Sequence, residues 1–460
     1  MINHRGVTMN QAYMKEKPIF PLLTSMALPM MLSMLVGSLY NIIDSYFVAK
    51  ISEASMTALS LVFPVQNLIN AVSVGFAIGI NSAVAFYLGA GKQDSADTAA
   101  TVGILLSGAH GFLLTAAGLW LMPGFLRLFT ADEAILEMGL QYSNIVLLFT
   151  LPNVIAISFE KIFQAVGKMT VSMVSMMCGC VTNIILDPFL IFGIGFFPAM
   201  GIKGAAIATG IGQTTSLAIY LLFYFGRPIS VTFCRLPGAV SSALIRRLYA
   251  VGVPATLNLA LPSLLVSVLN SVLSAYGSAY VLVLGAYYKL QTFLYLSANG
   301  IIQGMRPLVG YNFGAGEYRR VRRIHSTGLA MILTIMLLGT ALCLAVPSQL
   351  IGLFTSNRET IALGVTAIRL ISIGFFVSGI SVTVSGTLEG LGMGAPSLVI
   401  SLCRYVLFII PLAVLFSRSL GANGVWLAFG ASEGLTAVVS WGIYRYVGRR
   451  RLTRDLAGEG

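Results

Sequence analysis

Leu88-Gly89-Ala90-Gly91 closes one long apolar run, and Phe313-Gly314-Ala315-Gly316 closes another at an offset of 225 residues, Gly314 answering Gly89. In that register Pro29 recurs as Pro254, Gln66 as Gln291, and Gly75 and Gly79 as Gly300 and Gly304. Leu128-Phe129-Thr130 likewise recurs as Leu353-Phe354-Thr355, Gly167 as Gly392 and Cys178 as Cys403. Gly201, Gly204 and Ala208 are then answered by Gly421, Gly424 and Ala428 at an offset of 220, so one late loop is shorter in the second half. A long fixed period marks a duplicated structural unit, and two half-length bundles on one plan are a recurrent build for secondary transporters.

Composition places the duplicated unit in a bilayer. With 57% hydrophobic residues, 10% charged residues and a mean hydropathy of +0.87, a water-soluble fold could not hide its apolar surface. About 20 apolar residues cross the hydrocarbon, and the sequence offers twelve such runs: 19–47, 55–86, 97–121, 138–160, 170–194, 202–226, 248–276, 281–309, 326–347, 361–388, 397–417 and 424–446. The expected architecture is an all-α integral membrane protein with twelve transmembrane helices in two pseudo-symmetric six-helix bundles. Residues 1–18 form a cytoplasmic N-terminal segment, 19–226 and 248–446 the two lobes, 227–247 a cytoplasmic linker and 447–460 a cytoplasmic tail. An even number of spans per half makes the repeats parallel.

Charge orients the chain. A cytoplasmic N-terminus puts on the same side Arg5, Lys15, Lys17, Lys92, Lys161, Lys168, the linker cations Arg227, Arg235, Arg246 and Arg247, the run Arg319 to Arg323, and Arg445 to Arg454. The opposite side receives Lys50, Arg127, Lys203, Arg358 and Arg418. This is the positive-inside pattern. It accounts for most of the formal +12 charge without nucleic acid as a partner, and it puts both termini in the cytoplasm. The first apolar run is too long for a cleavable signal peptide and should remain as a span.

Metal and nucleophile chemistry finds little support. His4, His110 and His325 are scattered, and Cys178 and Cys180, two apart on a helix, point to nearly opposite sides. The five cysteines form no disulfide framework. Gly89-Ala90-Gly91-Lys92 lacks the spacing of a phosphate-binding loop and reads as a tight turn. With no nucleophile, base and metal constellation, the chain is not expected to be an enzyme and needs no cofactor beyond a coupling ion.

Function should be sought at the intramembrane acids, because an ionisable group at depth costs several kcal/mol unless paired, hydrated or protonated. Asp44 lies late in the first span with Tyr40 one turn before it, and Asp187 lies in the fifth with Asn183 one turn before it. The repeat supplies a control. At the 225 offset Tyr40, Asp44, Asn183 and Asp187 become Leu265, Leu269, Phe408 and Leu412, although the surrounding glycines and proline persist. The scaffold is duplicated and the acids are not, so the acids look like an added function. Two carboxylates sharing a low-dielectric pocket cannot both ionise cheaply, so the pair should take up and release a proton as a unit, or else ligate sodium.

Leu39-Tyr40-Asn41-Ile42-Ile43-Asp44, Asn183-Ile184-Ile185-Leu186-Asp187-Pro188 and the two Gly-Ala-Gly loops, taken in order with twelve spans, resemble the multidrug and toxic compound extrusion (MATE) family, and within it the bacterial branch of small multidrug exporters. The resemblance covers residues from about 15 to 448. It implies a V-shaped central cavity in a bacterial cytoplasmic membrane protein that acts as a monomer, exporting organic cations or drugs by antiport with protons or sodium. It further implies that Asp44, Asp187, Asn183, Tyr40 and Thr209 form the ion-coupling site, with Tyr142 as a neighbour and Pro29 as the point where the first span bends. Another branch of the family carries a sodium site on the seventh and tenth spans. Here the seventh span has Leu257 and Asn258 but no acid, and the only acid of the tenth is Glu389 near its end.

Weaker candidates complete the reading. Met34, with Met26 and Met30 at one-turn spacing before it, and Met173 with Met177 suit either a core or an adaptable drug surface. Glu433, Lys289, Arg369 and Arg404 form a second intramembrane charged set, in which Arg369 or Arg404 should neutralise Glu433 or, alternatively, Arg369 and Glu433 serve substrate binding or gating, while Arg306 should snorkel to the interface. The alternatives are a lipid-linked oligosaccharide flippase of the same superfamily, expected to favour cationic residues in its cavity, and a non-transport membrane protein, expected to show no gradient-dependent flux.

Overall fold

The structure, a computed structural model, describes residues 12–195, 197–234 and 240–452. The expectations attached to His4, Arg5, Arg235 and Arg454 lie outside the described residues. A short α1 (Ala12–Glu16) precedes the first-half helices α2 (Ile19–Ala49), α3 (Glu53–Gly89), α4 (Gln93–Arg127), α5 (Glu133–Leu148), α6 (Thr150–Ala165), α7 (Met169–Phe192) and α8 (Ile202–Gly226). The second half follows with α9 (Ser242–Ser274), α10 (Ser278–Gly314), α11 (Tyr318–Ala345), α12 (Pro347–Gly352), α13 (Arg358–Gly390), α14 (Gly394–Leu402), α15 (Ile409–Leu420) and α16 (Ala422–Arg451). A π-helical turn, Cys403–Leu407, joins α14 to α15.

Among the described residues nine helical segments are each long and apolar enough to cross a membrane, and α5 with α6 makes a tenth when taken as one span. The helices α10 and α16, of 37 and 30 residues, complete twelve. They are more polar, with Lys289 and Arg306 in one and Glu433 in the other. In hydrocarbon the backbone must satisfy its own hydrogen bonds, so each apolar run becomes helix. Outward side chains such as Trp120, 81% exposed, and Phe225, 80% exposed, have a place only against lipid.

Two spans depart from the smooth helices that hydrophobicity predicts, and a proline stands three residues after each break, at Phe149 and Phe408. Pro152 has no N–H for the Leu148 carbonyl and its ring crowds that carbonyl; the chain breaks at Phe149, bending α5 against α6 by 47°. Pro411 stands in the same relation to Leu407. There the helix widens instead: Phe408 N bonds Cys403 O at 3.0 Å, five residues back.

Several repeated residues do equivalent work. Asp132 caps α5 by accepting from Ala134 N at 2.9 Å, and its own N–H donates to Thr130 Oγ1 at 3.1 Å. Asn357 caps α13 in the same way through Glu359 N at 2.9 Å, with its N–H on Thr355 Oγ1 at 3.2 Å. The glycine pairs are explained by close helix approach. A Cβ at Gly75 would collide with the backbone of Thr256, and one at Gly300 with the backbone of Met31, its counterpart in the 225 register. Gly79 abuts the backbone at Leu248 and Gly252, and Gly304 abuts Met26 and Ala27.

These contacts define two packing units that are not the two sequence halves. One unit takes Leu32–Leu88 and Lys92–Thr256; the other takes Met14–Met31, Gly89–Gly91 and the chain from Leu257 onward. The first part of α2 therefore packs on α10, and the first part of α9 packs on α3. The division falls after Met31 and after Thr256, again one register of 225, and two residues beyond Pro29 and Pro254 respectively. In the second unit Lys15 Nζ sits 2.9 Å from Glu317 Oε1. That carboxylate holds the Lys15 ammonium above its ordinary pKa, chiefly by its hydrogen bond. In the first unit the linker is tied back onto α4: Asp97 accepts from Thr232 N at 2.9 Å and from Thr232 Oγ1 at 3.1 Å.

Candidate functional site

The residues singled out in α2, α7 and α8 converge inside the first unit. Pairing of α7 with α8 is close because Gly179 and Gly212 face each other: an added Cβ at Gly179 would lie 2.6 Å from the Gly212 carbonyl, and one at Gly212 would lie 2.7 Å from the Gly179 carbonyl. One turn along, Asn183 Nδ2 reaches Thr209 Oγ1 at 3.3 Å. Tyr40 stands beside Thr209, and Tyr142 beside both Thr209 and Gln66. Thr209 is the hub that gathers α2, α5, α7 and α8 around one polar centre.

Asp44 from α2 and Asp187 from α7 meet carboxyl to carboxyl within hydrogen-bonding reach. Asp187 is 0% exposed and Asp44 7%. No donor from the described residues reaches Asp44 Oδ1, either oxygen of Asp187, or Asn183 Oδ1. Four acceptor oxygens thus crowd a place from which water is largely excluded, with hydroxyls and an amide at its edge. Negative oxygens in contact repel strongly at low dielectric, so the arrangement holds together when a proton is shared between the carboxyls or a small cation sits among them. Pro188 adds to this polarity: it has no N–H for the Ile184 carbonyl, on the turn that carries Asp187.

Of the weaker candidates, Met26 and Met30 are core residues at 2% and 1% exposure, whereas Met34, Met173 and Met177 are half-buried. Gln66 entered the sequence reading only through its recurrence as Gln291, yet it stands beside Tyr142, close to the acids. The useful signal was its position as a polar residue inside an apolar run.

The second unit holds a different chemistry. Arg404, on the π-helical turn, donates from Nε to Glu433 Oε1 at 2.7 Å and from Nη2 to Tyr295 Oη at 2.6 Å. Tyr295 and Ser378 hydroxyls lie 2.5 Å apart. Arg404 is therefore the cation that neutralises Glu433, and Arg369 is exposed. Arg306 does not snorkel. Its Nη2 lies 2.6 Å from Glu389 Oε2, while Asn258 Nδ2 and Ser397 Oγ donate to Glu389 Oε1, each at 3.1 Å. An inward carboxylate drew the guanidinium away from the interface. The first unit has polar residues at the same repeat positions, Asn81, Gln164 and Ser172 for Arg306, Glu389 and Ser397, and they gather around Glu160 and Lys161. Buried polarity there belongs to the duplicated scaffold, in contrast to Asp44 and Asp187.

Curated relatives and solved structures resemble the chain over nearly its whole length. The chain is 25% identical over 445 residues to the multidrug export protein MepA of Staphylococcus aureus strain NCTC 8325, covering 96% of this chain and 97% of that protein. It is 24% identical over 446 residues to MepA of Staphylococcus haemolyticus, covering 97% of each. Its fold matches a multidrug resistance MATE family transporter of the MOP superfamily in an outward-facing conformation with a TM-score of 0.89, at 24% identity and covering 96% and 98% of the two chains. It matches a MATE crystal structure in the bent conformation equally well, at 0.89 and 24% identity over 98% and 99%. The MatE family model matches twice, over residues 29–189 and 254–415, the two matches beginning 225 residues apart, and the chain belongs to that family.

Proposed function

We propose that the protein is a secondary active multidrug efflux transporter that exports small organic cations by antiport with protons, or with sodium, through alternating access, as a monomer in a bacterial cytoplasmic membrane with both termini inside. The observation that carries this reading is the buried Asp44–Asp187 pair with its undonated oxygens, in a chain whose curated relatives are named as multidrug export proteins. Protonation of the pair removes a charge at depth. Tyr40, Asn183 and Thr209 then exchange partners, and the unit prefers the conformation that releases drug. Sodium would use the same oxygens, with Asn183 Oδ1 as a neutral ligand. Pro29, Met34, Met173, Met177 and Tyr142 supply the bend and the adaptable lining. Arg404 holds Glu433 as a structural counter-charge.

The test is transport by purified protein in liposomes with a pH gradient and a sodium gradient imposed separately. Export of an organic cation should follow the pH gradient, each charge being worth about 2.3 kcal/mol per 100 mV in addition to its concentration term. Asp44→Asn and Asp187→Asn should each abolish gradient-driven export while the protein remains inserted and monodisperse. Full efflux by either variant would sink the coupling assignment.

A further inference from the structure

The helix α16 carries two chemically different surfaces. Ser432, Glu433, Thr436, Ala437 and Ser440 face the interior of the second unit. The opposite stripe begins with lipid-type surface, Leu435 at 47% exposure and Val438 at 72%. One turn further it reaches Trp441 and two turns further Tyr446, both half exposed and of the kind that sits at the level of lipid headgroups. There the stripe becomes a groove of about 220 Å3 lined by Gly442, Arg445, Tyr446 and Arg449.

The spacing of those four residues, i, i+3, i+4 and i+7, puts them on one face of the helix. Gly442 forms the floor, and a Cβ added there would meet nothing within 4 Å. Arg445 and Arg449, one turn apart, line its two ends, and each is exposed. Arg445 Cζ rests 5.9 Å from the Trp441 ring, so an aromatic face helps hold that guanidinium. Two planar guanidinium forks over an open floor match the oxygens of a phosphodiester. The apolar stripe that runs from the same groove along Leu435 and Val438 matches acyl chains.

We propose that this groove is a binding site for one anionic phospholipid, its headgroup phosphate held by Arg445 and Arg449 above Gly442 and its chains lying along Leu435 and Val438. A diffuse basic patch would attract anionic lipid without regard to Gly442; a built site depends on that open floor. Gly442→Leu leaves net charge unchanged, replaces a poor helix former with a good one, and fills the groove.

The full-length protein in nanodiscs of mixed phosphatidylglycerol and phosphatidylcholine with matched chains tests this, by mass spectrometry of the lipid retained after transfer to detergent. The wild type should retain phosphatidylglycerol over phosphatidylcholine by about tenfold. Arg445→Gln with Arg449→Gln should bring the ratio close to parity, and Gly442→Leu should do so as well. Arg319→Gln with Arg323→Gln, which removes equal charge elsewhere, should retain the preference. Excess inorganic phosphate should fail to displace the lipid, because it lacks the chains. Parity in the wild type, an undiminished preference in Gly442→Leu, or displacement by phosphate would each overturn the proposal. Thermal unfolding of each variant separates loss of the site from loss of the fold.

Discussion

Asp44 and Asp187 stand out because the duplicated chain writes leucine in their places, and the structure brings them into contact in one unit. Residue chemistry of this kind is legible in sequence when a polar group appears in one repeat and not in the other. It is less legible when the group recurs, as Gln66 does in Gln291, or lies near the end of its run, as Arg306 and Glu389 do. No pattern in a single helix reveals that a guanidinium on α10 and a carboxylate on α13 turn toward the same interior point. The Arg404–Glu433 pair offers a direct test of what such buried charge does. Arg404→Met alone leaves Glu433 uncompensated and should destabilise the protein by about 3–5 kcal/mol, whereas Arg404→Met with Glu433→Leu should recover most of that loss. Thermal unfolding in detergent distinguishes the cases. If the double variant is as unstable as the single one, the pair contributes more than charge balance, and its hydrogen bond to Tyr295 becomes the feature to explain.

At the scale of elements, apolar runs locate the bilayer portions of the helices and miss what extends or interrupts them. Several helices continue beyond their runs because polar residues at the interface are still good helix formers, as in the arginines that end α16. The two broken spans were missed because Pro152 and Pro411 are as compatible with a smooth apolar run as any other residue by hydrophobicity; their effect comes from one carbonyl each, at Leu148 and Leu407. The repeated glycines were visible from the start, and only the packing shows what they do. Gly300→Val places its side chain in the backbone of Met31, which cannot move aside as a flexible side chain would. It should reduce the yield of monodisperse protein severely, with a cost above the roughly 1–3 kcal/mol of ordinary overpacking. Gly434→Val, on α16 with nothing within 4 Å of its added carbon, serves as the control and should be close to neutral. Equal yields from the two variants by size-exclusion chromatography would show that the α2–α10 approach is not required.

The molecule as a whole was legible as a duplication with six spans in each half, because periodicity and hydropathy survive in one dimension. The partition into packing units was not, since it depends on which stretch of α2 and α9 lies against which neighbour. Each unit contains a segment from the other half of the chain: Met14–Met31 packs with the chain beyond Leu257, and the start of α9 packs with the chain before Gly226. A half cut at the sequence boundary therefore loses part of its own core and exposes Gly75 and Gly79, or Gly300 and Gly304, on a bare helix. Residues 1–234 expressed alone should fail to accumulate as a monodisperse species, and so should residues 240–460 alone. Co-expressed, the two fragments should copurify through a tag on either one, because the helices exchanged between units are all present and only the linker is cut. The pair should also retain gradient-driven export if the linker serves only as a tether. Stable, well-behaved protein from either fragment by itself would mean that the segment received from the other half is dispensable, and that the halves fold as closed domains.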